Sequence, residues 1–327
     1  MKVFLTGPDG LLGSNLVRLL LAEGHAVKAL VYPGSQSKTI DDLPIEKVSG
    51  DILDYESLLV AMNGCEAVIH AAANTSVWPT KSPKIWDINV KGTQHAIDAV
   101  VELGIKRMVH VSSASSFTHG SLDQPGDETA PFGGDQYGLD YIESKYAGQQ
   151  IVQRAVAERG LPAVIINPTY MIGAFDSLPS SGKLLVNLAK KKLPGYTSGG
   201  KNFVYVKDVA QAIINALTMG RVGECYIAGN VNHSYQEIFH IMAKVAQVSP
   251  PKLAVPDALM QIIGRISTGW GKLARKDSPM NHATAKFACE SQYYSPQKAV
   301  QELKMPQTPI EAAIQEAYDW FVENEYI

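Results

Sequence analysis

The first residues of the chain, MKVFLTGPDGLLGSNLVRLLLAEG (residues 1–24), combine a short apolar run, a glycine-rich turn and an amphipathic segment. The run Lys2–Thr6 predicts a buried strand, because short apolar runs bounded by turn residues are typical of one. Ser14–Glu23 predicts a helix whose leucines share one face and which ends before Gly24. A strand that leads through a short turn into a helix is the first part of a βαβ unit.

The same alternation continues outward from this stretch. Apolar runs alternate with helical patterns that begin at capping residues such as Asp54 and end at glycines such as Gly64. This alternation requires parallel pairing through helical crossovers, so we predict a Rossmann-type, doubly wound parallel α/β sheet. The further predicted strands are Ala26–Val31, Ile45–Val48, Ala67–Ala71, Arg107–Val111 and Ala163–Asn167, and the longer predicted helices are Asn89–Leu103 and Tyr141–Arg159.

Gly7, Gly10 and Gly13 occupy the turn between the first strand and the first helix. At this junction the first glycine permits a tight turn, and the second lets the backbone approach a pyrophosphate. The third permits close packing of helix on strand, and the helix N-terminus offers N–H groups to the anion. The turn therefore predicts a dinucleotide site.

The regular alternation ends near residue 170. We expect residues 1–170 to form a dinucleotide-binding domain, with residues 203–229 returning to it. Residues 171–202 and 230–310 then form insertions that build a smaller C-terminal substrate lobe. Residues 311–327 hold most of an amphipathic helix that we expect to dock on the core.

Composition and charge limit the functional classes. The chain has 327 residues, a formal net charge of −3, and lysines and arginines spread along its length. This distribution disfavours a nucleic-acid-binding protein. Cys65, Cys225 and Cys289 form no Cys-x-x-Cys pair, so we predict neither disulfides nor a metal site and favour a reducing compartment. No apolar stretch approaches the roughly 20 residues that span a bilayer, so we expect a cytoplasmic protein without stable membrane insertion.

Tyr141 and Lys145 stand four residues apart at the start of the helix after the fifth strand. This spacing places both side chains on one helix face. A lysine ammonium beside a tyrosine favours the phenolate, so the tyrosine can exchange a proton with a substrate hydroxyl or carbonyl near neutral pH. A serine hydroxyl that bonds the substrate oxygen would complete the site, and Ser112 and Ser113 are the candidates.

The Gly-x-x-Gly-x-x-Gly spacing and several further motifs resemble the extended branch of the short-chain dehydrogenase/reductase superfamily. The motifs occur in the family's order over nearly the whole chain, and the ordered set is more specific than any single motif. Within this superfamily, which includes the NAD-dependent epimerases and dehydratases, the chain is especially similar to the dihydroflavonol-4-reductase-like group and to hopanoid-associated sugar epimerases. The motifs are Gly50-Asp51-Ile52-Leu53-Asp54, His70-Ala71-Ala72-Ala73, Asn89-Val90-Lys91-Gly92-Thr93, Ser112-Ser113-Ala114, Tyr141-x-x-Ser144-Lys145, Asn167-Pro168-Thr169 and Phe203–Ala210.

The resemblance implies an oxidoreductase acting on CH–OH or C=O groups, with Ser113, Tyr141 and Lys145 as catalytic residues. Ser113 would polarise the carbonyl, Tyr141 would supply the proton and Lys145 would tune the tyrosine and hold the ribose. The implied cofactor-binding residues are Gly7, Gly10, Leu11, Leu12 and Gly13 at the pyrophosphate, Asp51 and Ile52 at the adenine, Ala71, Ala72 and Ala73 on the ribose side, and Asn89 and Pro168 nearer the nicotinamide, together with Ser112, Tyr141 and Lys145.

The residue after the second strand bears on the choice between NAD and NADP. An acidic residue there would bind the ribose hydroxyls of NAD, and a basic one would accommodate the additional phosphate of NADP. Tyr32 is neither, and no carboxylate follows until Asp41, whereas Ser35, Ser37 and Lys38 lie within reach of a 2′-phosphate. We favour NADP, with Tyr32 and Lys38 as binding residues, and NAD stays open.

Two reactions stay open: reduction of a ketone or aldehyde, and epimerisation or dehydration of a sugar nucleotide. Sugar-nucleotide enzymes usually carry asparagine three residues before the glycine that corresponds to Gly173, where this chain has Tyr170. We therefore favour an apolar or aromatic carbonyl substrate. A regulatory protein that binds the dinucleotide without turnover is a third alternative. The apolar candidates for the substrate pocket are Trp78, Tyr170, Met171, Phe175, Leu259, Ile262, Ile263 and Trp270.

Two further expectations concern surfaces. The amphipathic segment Ala258–Ala274 is a pocket lid, part of the core or a helix at a membrane surface. The resemblance also implies a possible homodimer through the helices at about 87–103 and 141–159.

Overall fold

The computed structural model describes residues 1–35, 38–274 and 281–327. The strands are β1 (Lys2–Thr6), β2 (Ala26–Val31), β3 (Glu46–Ser49), β4 (Ala67–His70), β5 (Arg107–Val111), β6 (Ala163–Pro168), β7 (Tyr170–Ile172), β8 (Gly195–Tyr196), β9 (Gly200–Tyr205), β10 (Cys225–Ala228), β11 (Val231–Ser234), β12 (Leu253–Ala254) and β13 (Ser291–Gln292). The helices are α1 (Leu11–Ala22), α2 (Tyr55–Met62), α3 (Pro83–Trp86), α4 (Gly92–Glu102), α5 (Asp140–Arg159), α6 (Lys183–Ala189), α7 (Val206–Asn215), α8 (Tyr235–Val245), α9 (Asp257–Ala274), α10 (His282–Cys289), α11 (Gln297–Glu302) and α12 (Ile310–Glu323), with a π-helical turn at Asp87–Lys91 and 3₁₀ turns at Ala114–Ser116 and Gly134–Tyr137.

Seven parallel strands form the central sheet in the order β10-β6-β5-β4-β1-β2-β3. From β1 the chain moves outward through β2 and β3, then crosses to the other side of β1 and continues through β4, β5 and β6. The direction reverses between β1 and β4, and open α/β sheets bind ligands at the carboxyl ends of the strands beside such a reversal. The predicted Rossmann-type, doubly wound sheet is confirmed.

Alternate residues of β1 show that the central sheet is covered on both faces. Val3 and Leu5 belong to the apolar layer that includes α1 and α7, and Phe4 belongs to the layer that includes α2, α4 and α5. All three side chains are fully buried. A strand buried on both faces needs a continuous apolar run, which is the pattern at the start of the chain.

A second sheet lies in the C-terminal part of the fold. It has the order β11-β9-β13, and β7 also pairs with β9, while β8 and β12 form a separate short ladder. Helices α6, α8 and α12 share an apolar cluster beside it. Within residues 203–229, β10 joins the central sheet and α7 packs on α1, but β9, half of which precedes that range, pairs in the second sheet. The domain boundaries given above stay a prediction.

Several predicted boundaries move. The helix expected at Asn89–Leu103 begins at Pro83 and contains the π-helical turn at Asp87–Lys91, because the Asn89 side chain is drawn into bonds with a neighbouring loop. The first helix begins at Leu11 and not at Ser14, since Gly10 itself is the N-cap residue. The predicted cap at Asp54 is confirmed, because its carboxylate accepts the Ser57 N–H. Among the described helices, none combines the length and the apolar character needed to cross a membrane.

Candidate active site

The glycine turn lies at the reversal point between β1 and β4. Gly7 has φ of 68°, and a Cβ there would lie 2.9 Å from the Ala72 backbone. A Cβ on Gly13 would lie 1.9 Å from the Gly7 carbonyl oxygen, so this position excludes any side chain. A Cβ on Gly10 would meet only that same oxygen, at 4.0 Å. The turn is therefore closed toward the protein and open at Gly10, where an anion would approach.

The helix N-terminus completes this cradle. The first helical bond of α1 runs from the Ser14 N–H to the Gly10 carbonyl at 2.9 Å, so the N–H groups of Leu11, Leu12 and Gly13 precede it. No acidic residue stands in the first turn. These donors and the positive end of the helix fit a pyrophosphate. The Leu12 side chain packs into the core, so a contact with the cofactor would come from its backbone.

Thr6 holds the loop after β4 against the glycine turn, a role that the sequence did not reveal. Its buried hydroxyl accepts the N–H groups of Ala71 and Ala72 at 3.2 and 3.1 Å, and it lies 2.9 Å from His70 Nδ1. Thr93 contacts the other ring nitrogen of His70 at 3.2 Å. The predicted ribose-side residues therefore belong to a loop that is fixed to the end of β1.

Asp51 and Ile52 lie after β3, on the adenine side that the resemblance implies. Asp51 Oδ1 accepts the Leu53 N–H at 2.9 Å, so the carboxylate shapes its own turn. Ile52 is buried under Gly92, where a Cβ would lie 2.6 Å from Ile52 Cδ1.

Lys38 and Tyr32 are both exposed at the end of the sheet near the glycine turn. The residue after Lys38, Thr39, bonds Ser14 Oγ at 2.7 Å and the Asp9 carbonyl at 3.4 Å, so this segment is held against the turn. Ser37, which was also predicted to lie within reach of a 2′-phosphate, lies outside the described residues.

Ser113, Tyr141 and Lys145 meet at the carboxyl end of β5. Ser113 Oγ lies 2.8 Å from Ser115 Oγ, and Lys145 Nζ donates to the Val111 carbonyl at 2.7 Å. Burial raises the pKa of Tyr141, against the lowering effect of the nearby Ser113 hydroxyl, and burial lowers the pKa of Lys145 to about 8. Among the described residues the lysine bonds the strand and not the tyrosine, and its charge helps to lower the pKa of His70. Ser112 Oγ instead lies 3.3 Å from Ser116 Oγ.

Asn167, the next-to-last residue of β6, ties this group together and was missed as a site residue. Its Nδ2 donates to the Ser113 carbonyl at 2.9 Å and to Gln149 Oε1 on α5 at 2.7 Å. It is fully buried and immediately precedes Pro168. The serine loop, β6 and the catalytic helix are therefore connected by one amide.

Asn89 connects the loop after β4 to the same helix. Its side chain accepts the Asn74 N–H at 2.7 Å and donates to the Asn74 carbonyl and to Ser144 Oγ, at 3.0 and 2.9 Å. Ser144 lies between Tyr141 and Lys145 in the sequence. These bonds occupy the Asn89 amide with protein groups and hold the loop after β4 against α5.

A small cavity of about 20 Å³ beside the serine loop has Phe117, Tyr137, Phe287 and Tyr294 among the residues of its walls. Tyr141 packs in the cluster that borders it, with Tyr137, Ile142 and Phe287. One wall is polar, because Tyr137 donates to Glu290 and His119 Nε2 lies 3.2 Å from the Tyr137 hydroxyl and 3.5 Å from the Glu290 carboxylate. The cavity is lined by Ser115, Phe117, Thr118, His119, Gly133, Gly134, Gln136, Tyr137, Ile142, Phe287 and Tyr294.

The apolar residues proposed from sequence for the pocket lie elsewhere. The Tyr170 hydroxyl donates to the Ser181 carbonyl at 2.8 Å within the C-terminal cluster. Phe175 has a positive φ, which turns it to pack under the Arg18 guanidinium, 3.6 Å from its ring centroid. The α9 residues Leu259, Ile262, Ile263 and Trp270 are exposed. The walls of the cavity beside the serine loop come from segments near residues 117–142 and 287–294, which have no single apolar motif.

The model of the NAD-dependent epimerase/dehydratase family matches residues 3–230 of the chain. The chain belongs to this family. A Synechocystis protein named provisionally as a dihydroflavonol 4-reductase is 33% identical over 99% of this chain and 95% of its own length. Sterol demethylase protein B of Methylococcus capsulatus is 28% identical over the full length of both. The solved structure of gox2253 covers 100% of this chain and 99% of its own, with a TM-score of 0.88 at 29% identity.

Sugar-nucleotide epimerases and dehydratases of solved structure share the fold at under 25% identity. The family description establishes an NAD-dependent oxidoreductase or epimerase fold for this chain. The side chains of the site decide which reaction the chain catalyses and whether its cofactor carries a 2′-phosphate.

Proposed function

We propose that the protein is an NADP(H)-dependent reductase of ketones or aldehydes in which Tyr141 donates the proton. The observation that supports this most is the burial of Tyr141 beside the Ser113 hydroxyl at the carboxyl end of β5. Because burial raises the pKa of Tyr141, the phenol keeps its proton at neutral pH. A neutral phenol is the form that donates to a carbonyl oxygen, so the site suits the reductive direction.

The catalytic side chains divide the work on one substrate oxygen. The nicotinamide, when bound, supplies the hydride. Ser113 and Tyr141 would bond the same carbonyl oxygen, and Tyr141 would transfer its proton to that oxygen as negative charge develops. Lys145, one helical turn away, stabilises the phenolate that this transfer leaves. Its bond to Val111 fixes the ammonium in place.

The apolar cluster beside Tyr141 supports a substrate with an aromatic or apolar body. Tyr137, Ile142 and Phe287 cover the side next to Tyr141, which favours burial of apolar surface. The His119–Tyr137–Glu290 group on the polar wall would orient a hydroxyl or carbonyl at the far end of such a molecule. The sterol named in one relative's title is an apolar compound of this kind.

NADP is proposed over NAD because Lys38 is an exposed cation beside the glycine turn. The bonds of Thr39 to Ser14 and Asp9 hold Lys38 at the edge of that turn. The exposed residue after β2 is Tyr32, which has an aromatic ring and no carboxylate. A carboxylate at this position would repel a 2′-phosphate.

Sugar-nucleotide epimerisation is the competing reaction. The fold is shared with such enzymes, but Tyr170 replaces the asparagine that usually contacts the diphosphate, and the arginines of the C-terminal half are scattered. Tyr170 bonds Ser181, and Arg221 makes a two-point bond with Glu302 at 2.8 and 3.1 Å. Arg265 is exposed on α9, and Arg275 lies outside the described residues. These contacts favour the reductase.

The test follows the absorbance of NADPH and NADH with a panel of aromatic and alicyclic ketones, aldehydes and nucleotide sugars. We expect NADPH consumption with an apolar carbonyl, lost in Tyr141→Phe and strongly reduced in Ser113→Ala but not in Ser112→Ala. Isomerisation of a nucleotide sugar without net cofactor consumption would establish the epimerase instead. Tight cofactor binding with no turnover on any compound would favour the regulatory protein.

A dimer through α4 and α5 is proposed from the resemblance. Light scattering of the purified protein would give the mass of one chain or two, and a monomer at micromolar concentration would contradict it.

A further inference from the structure

Helix α9 presents its large apolar residues to solvent. The side chains of Leu259, Ile262, Ile263, Ile266 and Trp270 are between 42 and 70% exposed. Their spacing of three or four residues places them on one face of the helix. Single exposed apolar residues are ordinary, but a continuous stripe of five marks a contact surface. We call these five residues the α9 stripe.

The opposite face of α9 is fixed against α10 by small and polar residues. A Cβ on Gly264 would lie 2.4 Å from the Ala285 Cβ and 3.1 Å from the Asn281 carbonyl oxygen. Thr268 Oγ1 accepts the His282 N–H at 2.7 Å. Because this packing depends on the absence of a side chain at Gly264, the helix cannot rotate to bury the stripe.

The segment that carries the stripe is basic although the chain as a whole is not. Residues 252–272 contain Lys252, Arg265 and Lys272 against the single acid Asp257, while the full chain has a net charge of −3. Lys252 and Arg265 are exposed, and the Asp257 carboxylate accepts the Ser198 hydroxyl at 2.6 Å. Basic residues beside an apolar helix face complement anionic lipid headgroups.

A second copy of this chain is a less suitable occupant. Two-fold contact between identical stripes would bring the basic residues of both copies together. We therefore propose that the α9 stripe docks the protein on the surface of an anionic phospholipid bilayer. The apolar side chains enter the boundary between headgroups and acyl chains, and Arg265 lies among the headgroups.

The docking surface is one helix layer from the candidate active site. Ala283 and Phe287 of α10 pack in the cluster with Tyr141, and Asn281 at the start of α10 donates to the Val77 carbonyl at 3.0 Å. Under the proposed function, a membrane-bound enzyme would therefore receive apolar carbonyl substrates from the lipid phase. The docking itself does not depend on the reaction.

The experiment measures co-flotation of the full-length protein with vesicles of phosphatidylcholine alone and of phosphatidylcholine with phosphatidylglycerol. We expect binding to the anionic vesicles, weaker binding at high salt, and a blue shift of fluorescence that is lost in Trp270→Phe. Ile266→Ser combined with Trp270→Ser should lower the affinity at least about tenfold, since two large side chains no longer enter the apolar layer. Val60→Ser is the matched control, because Val60 is 73% exposed on α2 and should have no effect.

The proposal is overturned if the unaltered protein stays with the soluble fraction, or if the double variant floats as well as the unaltered protein. If light scattering gives the double variant half the mass of the unaltered protein, the stripe joins two copies of the chain. That result would also overturn the proposal. Turnover of a water-soluble carbonyl should be the same in both proteins without vesicles. Failure of docking is thus distinguishable from failure of the proposed reductase.

Discussion

Helices α5 and α9 depart from the usual distribution of side chains in opposite directions. Helix α5 buries polar groups, including Ser144, Lys145 and Gln149. Helix α9 leaves the apolar side chains of its stripe in solvent. Burying an ammonium costs free energy, and exposing isoleucine and tryptophan forgoes the free energy of their burial. Both helices therefore lower the stability of the isolated chain at the places where we propose that it meets another molecule.

The largest effect is expected at the buried polar end of α5. Tyr141→Phe removes the proposed proton donor and should lower kcat by about 10²–10⁴-fold, the range of general acid catalysis. Cofactor affinity, measured by quenching of protein fluorescence, should change little.

Tyr146→Phe is the matched control for this variant. Tyr146 lies on the same helix and stacks on Phe132 at a ring distance of 4.1 Å. It should keep full activity. Activity of Tyr141→Phe near that of the unaltered protein would mean that α5 buries its tyrosine for structural reasons only.

The second effect concerns Asn167, which acts through Ser113 and Gln149. Asn167→Ala leaves the Gln149 amide oxygen and the Ser113 carbonyl without their donor, so the free energy of unfolding should fall by about 1–3 kcal/mol. Because the serine loop also loses its support, kcat should fall while KM changes little.

Asn215→Ala separates stability from positioning. Asn215 lies at the end of α7, away from the site, and its Nδ2 donates to the Leu303 carbonyl at 2.8 Å. It should lose stability and keep kcat. If the Asn167 variant shows the same pattern, the amide is a structural bond and not a positioning one.

The third effect is the pH dependence of Lys145, whose pKa burial lowers to about 8. Activity that depends on the ammonium should decline as pH rises through that value. Stability should respond in the other direction. Between about 8 and the ordinary lysine value of 10.5 the unfolded chain binds a proton that the folded chain has lost, so the unfolding free energy rises with pH.

Two measurements check these signs. The first is the pH profile of kcat, and the second is denaturant unfolding at pH values of about 7.5, 9 and 10. Both are compared between the unaltered protein and Lys145→Met. The neighbouring His70 does not titrate in this window, because burial lowers its pKa to about 3. A stability difference between the two proteins that does not change with pH would contradict the assigned pKa.

Local patterns predicted the sheet and the catalytic helix because their information is contained in short segments. The glycine turn and the Tyr141–Lys145 spacing are of this kind. Asn167 and Thr6 were missed, since their partners lie on elements that meet only when the sheet has formed. Periodicity also identified α9 as amphipathic but could not say which face points inward. That choice is set by Gly264 against α10, a contact between two segments.

The smallest change, in the free energy of unfolding, is expected for a substitution on α9. It tests whether the apolar side chains of α9 are exposed to solvent. Ile266 is 67% exposed, so Ile266→Ala should change the free energy of unfolding by less than about 0.5 kcal/mol. Ile213 on α7 is fully buried, and Ile213→Ala should cost about 2–5 kcal/mol in the same urea titration. A loss at Ile266 close to that at Ile213 would show that the protein itself covers the stripe. In that case α9 would be part of the core, and only α5 would depart from the ordinary distribution of side chains.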